Sequence, residues 1–408
     1  MRLVLASVLK PVTDPRLLAR LGRTLAELPG AEVHIVAHVA ADAPTARPDT
    51  ERSNVFLHPV FDFSRLSLAR AQAGRTLLTK LRELRPDIVV IGAAELLPAG
   101  VQWQRQTGGQ LVYDVRENYA LNVRTQGVFP SLVAGRLAVR IARMAAAAAP
   151  HLAGALLAER VYAEQLPWLK DCRRVEIIEN KYQPTSPIPN PPLRAPLTPD
   201  RPLRFLITGT LSELYGTFDA IMRLGWMQHD ELHIVGHAPR PADAVELRRL
   251  AADRTWMKLT GIEQPVPHAV IVDAIRQADA GLLPYQPHPS LDGCIPTKFW
   301  EYQAEGLPLV QRLSDRWRTV YGTTSIVSTP DDPLAPLVME RAMHPGEPPI
   351  FSGFLRAIGQ LPFGQAPPPP PGEAFWSASL AQPLKAGQGN FVSEASRLLA
   401  FFRALPQP

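Results

Sequence analysis

The chain has 408 residues, 46% hydrophobic and 20% charged, with a mean hydropathy of −0.05 and a net charge of +5. It reads as soluble and globular, and its length suits two cores at roughly 100 to 200 residues per domain. Its 43 prolines exceed the about 20 expected at average usage and call for long ordered connections, while 26 glycines without a triplet period exclude collagen.

From the N-terminus, the aliphatic run Leu3 to Leu9 meets Lys10 and Pro11 without a small-residue cleavage signal. It predicts a first strand, Leu3 to Val8, in place of a signal peptide. Helix and strand patterns then alternate: helix Pro15 to Leu28, strand Glu32 to Val36, helix Arg65 to Leu84, strands Ile88 to Gly92 and Gln110 to Val115. Helix Ser131 to Ala149, strand Ala155 to Leu157, helix Arg160 to Lys170 and strand Val175 to Ile178 complete this half. Aliphatic strands separated by helices argue for a parallel sheet covered on both faces. The most apolar stretch, Met144 to Ala158, is broken by Pro150 and His151 and falls short of the about 18 residues a membrane helix needs.

Eight prolines between Tyr182 and Pro202 mark a linker over 183–202. The rhythm then restarts: strand Leu203 to Thr208, helix Phe218 to Leu224, strand Leu232 to Val235, helix Ala242 to Ala252, strand Trp256 to Leu259. Helix His268 to Ala278, strand Ala280 to Pro284, helix Thr297 to Glu305 and strand Leu307 to Gln311 follow. A connector over 362–394, with five consecutive prolines, precedes a closing helix in 395–408 expected to return to the first domain. The expected architecture is α/β, with doubly wound domains over 1–182 and 203–361 and a ligand at the carboxyl ends of their strands, in the cleft between them.

Two cysteines, Cys172 and Cys294, allow neither a disulfide framework nor a paired-thiolate metal site and fit a reducing compartment. The ten histidines are scattered singly, with no Asp-x-Asp, His-Glu-x-x-His or Walker pattern, so no metal and no cofactor are expected. Residues 1–190 carry 24 Lys and Arg against 17 Asp and Glu, a net +7 that points to phosphate-bearing or anionic-surface partners and not to nucleic acid.

The stretch Ile295-Pro-Thr-Lys-Phe-Trp-Glu-Tyr-Gln-Ala-Glu-Gly-Leu-Pro-Leu-Val310 resembles the signature of glycosyltransferase family 4, typically Pro-x-Lys-x-x-Glu-Tyr-Met-Ala-x-Gly-x-Pro-Val. Gly209-Thr-Leu-Ser-Glu-Leu-Tyr-Gly216, Ile234-Val-Gly236, Gly261, Ala278-Asp-Ala-Gly-Leu-Leu-Pro284 and Tyr113-Asp-Val-Arg-Glu-Asn-Tyr119 support the resemblance in the family's order. It implies the GT-B fold of two facing Rossmann-like domains. It further implies a nucleotide-sugar donor as co-substrate, a retaining and metal-independent transfer without a side-chain nucleophile, and a glycan, lipid-linked or other acceptor, as in polysaccharide biosynthesis.

Gly209 to Gly216 lies in a strand-to-helix turn, where backbone N–H groups and a helix N-terminus can hold phosphate oxygens; a plain tight turn is the alternative. The family places Arg at the position of Thr210 and Lys at that of Tyr215, both toward the donor diphosphate, and this chain has neither. By resemblance Lys298 neutralises phosphate, Glu301 accepts the ribose hydroxyls, and Gly236 lies on the nucleotide side. A carboxylate suits a vicinal diol, although Lys298 and Glu301 also fit a surface pair at spacing three. A sugar-contacting acid is expected eight residues before Glu301, at Gly293; the neighbouring Asp292 is the candidate, or else it opens an Asp-Gly turn. His268, after Pro267, reads as a cap or surface residue.

In the first domain, Arg116 occupies a position where relatives carry His. A guanidinium keeps its proton, so Arg116 is no general base; it is expected to hold an anionic group, with Glu117 on sugar hydroxyls. A helix N-cap with a capping acid is the alternative. Lys10-Pro-Val-Thr-Asp-Pro15 replaces the glycine-rich first loop of many relatives. The candidate catalytic residues are thus Arg116, Glu117 and Lys298; the candidate nucleotide-sugar ligands are Gly209, Thr210, Tyr215, Gly236, Asp292, Lys298 and Glu301.

On helix Ser131 to Ala149, Arg136, Arg140 and Arg143 share an arc beside a stripe of Val133, Leu137, Ile141 and Met144, with Ala134, Ala138 and Ala142 opposite. Two readings are open. The arginines snorkel on an anionic lipid surface, or the stripe packs on the sheet and the arginines are solvated. The expected protein is a cytoplasmic glycosyltransferase, peripheral on the inner membrane face. Its rivals are a degenerate GT-B binding partner, favoured by the missing cations, and a sugar-nucleotide epimerase, which would want carboxylates and a histidine pair in the cleft.

Overall fold

The computed structural model describes residues 1–40, 43–63, 67–182, 202–224, 231–285, 288–307, 309–312, 376–379 and 392–406. The expected linker up to residue 201 and the five-proline run lie outside them. The chain divides into two units, Met1–Gln183 with Phe391–Pro408, and Pro184–Asn390.

The first unit holds strands β1 (Arg2–Pro11), β2 (Glu32–His38), β3 (Arg47–Pro48), β4 (Val55–Phe61), β5 (Ile88–Ile91), β6 (Gln110–Val115), β7 (Gly154–Leu157) and β8 (Val175–Ile177). Their order is β3-β4-β2-β1-β5-β6-β7-β8, parallel except for the β3–β4 pair. Leu3, Val4 and Leu5 are wholly buried, as strands covered on both faces require. The helices are α1 (Ala73–Leu84), α2 (Leu97–Thr107), α3 (Tyr119–Thr125), α4 (Ser131–Ala148) and α5 (Tyr162–Gln165).

Several elements differ from expectation. The segment after Pro15 winds with π-type bonds, Arg20 N donating to Pro15 O at 3.0 Å, and buries Arg16 and Arg20. Strand β4 was hidden by Pro59, which lacks a ladder donor. Helix α2 was hidden by Pro98 and Gly100. Pro98 stands in the first turn, where no intrahelical N–H is needed, and a methyl on Gly100 would come within 2.4 Å of Ile91.

Of the stripe expected on helix α4, Val133 is exposed while Leu137, Ile141 and Met144 are half-buried, and Arg136, Arg140 and Arg143 are exposed. The buried face of the helix is Ala134, Ala138, Ala145 and Ala148, while Leu132, Val133 and Val139 are exposed; Ala142 is exposed too. The helix packs against α2 and α3, with these buried alanines innermost.

Helix α10 (Val392–Arg403) belongs to the first unit. Leu398, Phe401 and Phe402 join the core of Val112, Leu156 and Ile178, and Lys181 Nζ meets Glu394 Oε1 at 2.8 Å.

The second unit is a sheet of β9 (Arg204–Thr210), β10 (Glu231–His237), β11 (Met257–Ile262), β12 (Ala280–Leu283), β13 (Leu309–Arg312) and β14 (Trp376–Ser379). Its order is β11-β10-β9-β12-β13-β14, and only β14 runs antiparallel. Strand β14 lies within the stretch expected to be a connector. Helices α6 (Thr217–Leu224), α7 (Pro241–Ala252), α8 (His268–Gln277) and α9 (Thr297–Ala304) follow the strands. Phe205, Ile207, Ile221, Leu232, Ile234, Leu247 and Leu282 form the core.

Candidate functional site

In the second unit, β9 and β10 pair in register so that Gly209 faces Gly236. A methyl on Gly236 would fall 1.9 Å from Gly209 O, so close backbone approach alone demands glycine there. Gly209 has φ +85°, and a methyl on it would lie 3.6 Å from Lys298 Nζ. The chain then turns through exposed Thr210 to Gly216, whose hypothetical methyl would strike Pro284 O at 1.6 Å.

Helix α9 delivers Lys298 to this strand end. Phe299, Trp300 and Tyr302 are buried beneath it, and Tyr302 Oη shares a 2.9 Å hydrogen bond with Thr208 Oγ1 on β9. Those anchors fix the helix and leave Lys298 only 9% exposed. Its ammonium stands 5.3 Å from the Tyr285 ring centroid, and Tyr285 packs edge-on against Tyr215 at 5.4 Å. Lys298 makes no hydrogen bond or ion pair among the described residues. Burial pushes it down to about 8, with the Glu301 carboxylate pulling the other way. A buried ammonium aimed at a glycine strand end is chemically suited to an anion, which would restore the lost solvation.

Glu301 lies one turn along α9, and His268 Nε2 meets its Oε1 at 3.0 Å. His268 is thus an exposed surface residue at the start of α8 that also contacts Glu301. Asp292 is exposed, its N–H donating to His288 O at 3.1 Å, and it precedes Gly293 at φ +77°. That is Asp-Gly turn geometry, and no described hydrogen bond or ion pair joins Asp292 to Lys298 or Glu301.

Arg116 and Glu117 belong to the first unit, at the end of β6. Arg116 Nε donates to Asp114 Oδ2 at 3.0 Å and Nη1 to Asp14 Oδ1 at 3.2 Å. Arg16 clamps Asp114 from the other side, Nη2 to Oδ1 at 2.6 Å, and also donates to Ile178 O at 2.7 Å. Burial would raise Asp114, but Arg16 and Arg116 overcome it and hold the carboxyl below its usual range. The Arg116 Nη2 is buried without a hydrogen-bond partner. Asn118 is the N-cap of α3, its Oδ1 accepting from Leu121 N at 3.1 Å. Glu117 accepts from Asn122 Nδ2 at 2.9 Å and lines a pocket of about 660 Å³ with Asn118, Arg124, Arg143 and Trp168.

The structure thus brings together Gly209, Tyr215, Lys298 and, one turn on, Glu301, and leaves Asp292 in a turn. It adds Tyr285, Tyr302 and His268 to the second-unit site, and Asp14, Arg16 and Asp114 to the first. The sequence signal for these was slight: Tyr285 follows the Ala278 to Pro284 match, and Asp14 stands in the segment that replaces a glycine loop. Among the described residues no cluster of three metal-ligating side chains occurs, and no helix is long and apolar enough to cross a membrane.

Two mostly parallel sheets joined to helices in this order define a GT-B fold, two Rossmann-like domains. The chain is similar to sucrose-phosphate synthase from Thermosynechococcus elongatus, with a TM-score of 0.60, 12% identity, and 84% of this chain and 89% of that one covered. It is also similar to the catalytic domain of starch synthase IV from Arabidopsis thaliana bound to ADP and acarbose, with a TM-score of 0.52, 13% identity, and 81% and 85% covered. A glycosyltransferase from Rickettsia africae gives 0.52, 10% identity, and 84% and 88% covered. The sequence matches no family model and no curated protein.

Proposed function

We propose that the protein is a nucleotide-sugar-dependent glycosyltransferase. The observation that carries this reading is the buried Lys298 ammonium beside Gly209 at the end of β9, with Glu301 one turn further along α9. Lys298 faces the donor diphosphate, Glu301 accepts the ribose hydroxyls, and Gly209, Thr210, Tyr215 and Gly236 surround the nucleotide, with Asp292 toward the sugar. As the bond from the sugar's anomeric carbon to phosphate breaks, its electron pair passes to phosphate oxygen, where a fixed cation stabilises the growing charge. The acceptor hydroxyl forms the new bond, and its proton goes to the departing phosphate. This route keeps the anomeric configuration and uses neither a metal nor a side-chain nucleophile. On the acceptor side, Arg116 offers the unpartnered Nη2 to an anionic group and Glu117 offers a carboxylate to hydroxyls in the 660 Å³ pocket. The acceptor is a glycan or a lipid-linked sugar.

The test is a thermal-shift screen of UDP, GDP, ADP and dTDP sugars, followed by an assay for nucleotide release. One donor should raise the melting temperature with concentration and be turned over. A chain that neither binds nor turns over any donor loses this reading to the degenerate one, which Thr210 and Tyr215, standing where two cations are usual, already favour.

A further inference from the structure

The pocket of about 660 Å³ beside β6 is lined by polar groups of two kinds. Its half-buried ones are partnered: Glu117 accepts from Asn122 Nδ2 at 2.9 Å, and Asn118 Nδ2 donates to Gln165 Oε1 at 3.1 Å. Deeper in the fold, Tyr113 and Trp168 stack with ring centroids 5.7 Å apart and planes inclined at 28°. Tyr113 is only 3% and Trp168 7% exposed, yet neither the phenol nor the indole N–H makes a hydrogen bond among the described residues. Buried tyrosine and tryptophan ordinarily find a partner, because an unmet donor costs free energy. Among the described residues the side-chain atoms sealed off without a partner are His58 Nδ1, Arg116 Nη2 and Gln303 Oε1, and these two donors are not with them. They open instead on the cavity that both residues line. Much of the remaining wall is apolar, with Val115, Ile141, Ala145 and Leu166 in it.

We propose that this pocket binds the aglycone of a glycosylated acceptor, an apolar ring system that carries oxygen acceptors. A mostly apolar cavity with a few fixed donors, within the about 300 to 1,000 Å³ usual for small-molecule sites, suits such a body. The Tyr113 hydroxyl and the Trp168 N–H donate to its carbonyl or ether oxygens, while Glu117 meets hydroxyls of the sugar it carries. A plain hydrocarbon chain would leave both donors unmet. A free glycan would press its hydroxyls against Val115, Ile141 and Leu166, which offer side-chain partners to none of them. The inference rests on the acceptor side of the transferase reading and says what the acceptor sugar is attached to.

The test is titration calorimetry of the full chain with three probes: 4-methylumbelliferyl glucoside, whose coumarin ring bears a lactone, benzyl glucoside, whose ring bears no further oxygen, and maltose. The coumarin glucoside should bind about tenfold more tightly than benzyl glucoside, as two hydrogen bonds of ordinary strength imply, and more tightly still than maltose. Tyr113→Phe should weaken coumarin glucoside binding about fivefold and leave benzyl glucoside binding unchanged. Its melting temperature should not fall, because the hydroxyl has no protein partner to lose. Undiminished coumarin glucoside binding by Tyr113→Phe overturns the proposal. So does tighter binding of maltose, which would give the pocket to a glycan, or binding of none of the three. Donor turnover by a chain that prefers maltose would overturn only this inference; coumarin glucoside binding by a chain that no donor stabilises would overturn only the transferase reading.

Discussion

His268 Nε2 and Glu301 Oε1 are 3.0 Å apart, joining the first residue of α8 to the second turn of α9. The contact occupies one of the two oxygens with which Glu301 would grip a diol and holds its carboxylate in one orientation. Glu301→Ala should weaken nucleotide binding by roughly 1.5 to 3 kcal/mol, the range for hydrogen bonds to a charged group. His268→Ala should cost less, and the double variant should cost no more than Glu301→Ala, because His268 acts through Glu301. Titration calorimetry on the three variants decides it; additive losses would make the two side chains independent.

Lys298 is held down at about 8 by burial, below the ordinary lysine value of 10.5. At pH 7 the folded protein therefore keeps a charge that the unfolded chain accommodates more easily, at a cost on the order of 3 kcal/mol. As pH rises above 8 the folded state releases its proton before the unfolded one, and that cost is relieved. Lys298→Met should raise the melting temperature at pH 7 while lowering turnover about a hundredfold or more, the usual loss for one contact to developing charge. In the unaltered protein, nucleotide diphosphate affinity should fall as pH rises through 8. Calorimetry in buffers of different ionisation enthalpy would register the proton taken up.

Two glycines should respond with opposite signs. Gly216→Ala places a methyl 1.6 Å from Pro284 O at φ +73° and should destabilise the second unit by more than about 3 kcal/mol. Gly135→Ala meets nothing within 4 Å on α4 and should stabilise by roughly 0.5 to 1 kcal/mol through helix propensity. Urea denaturation of both variants measures the contrast.

A histidine chain sets an acid limit. His34 Nε2 meets Glu32 Oε1 at 2.7 Å, His34 Nδ1 meets His58 Nε2 at 2.9 Å, and His58 Nδ1 is buried without a partner. Burial, then the Lys80 charge, pushes His58 down to about 4. Unfolded histidine binds its proton near 6.5, so this contribution is complete above that pH and is lost as pH falls toward 4. The slope of stability between pH 6.5 and 4 should flatten in His58→Phe, as denaturant melts across that range would report. Asp114 adds a loss at lower pH, because its folded value is depressed and protonating it frees Arg16 and Arg116 from their shared counterion.

The sequence by itself determined the two α/β units and the placement of Lys298 and Glu301 on one helix. Both are local facts: aliphatic strand runs and a three-residue spacing carry their own periodicity, and β1, β6 and α9 form close to where that periodicity puts them. Strand β4 and helix α2 escaped because Pro59 and Pro98 break the local pattern at positions where the structure does not need the missing N–H. Only the tertiary structure decided the rest. Arg116 pairs with Asp14, 102 residues away, as well as with Asp114, and Asp114 is shared with Arg16, 98 residues away, partnerships that no periodicity encodes. Which face of α4 is inside was likewise decided by the fold, which buries Ala134, Ala138, Ala145 and Ala148, half-buries Leu137, Ile141 and Met144, and leaves Leu132, Val133 and Val139 exposed. Hydrophobicity ranks side chains for burial, but the shape of the neighbouring surface chooses among them.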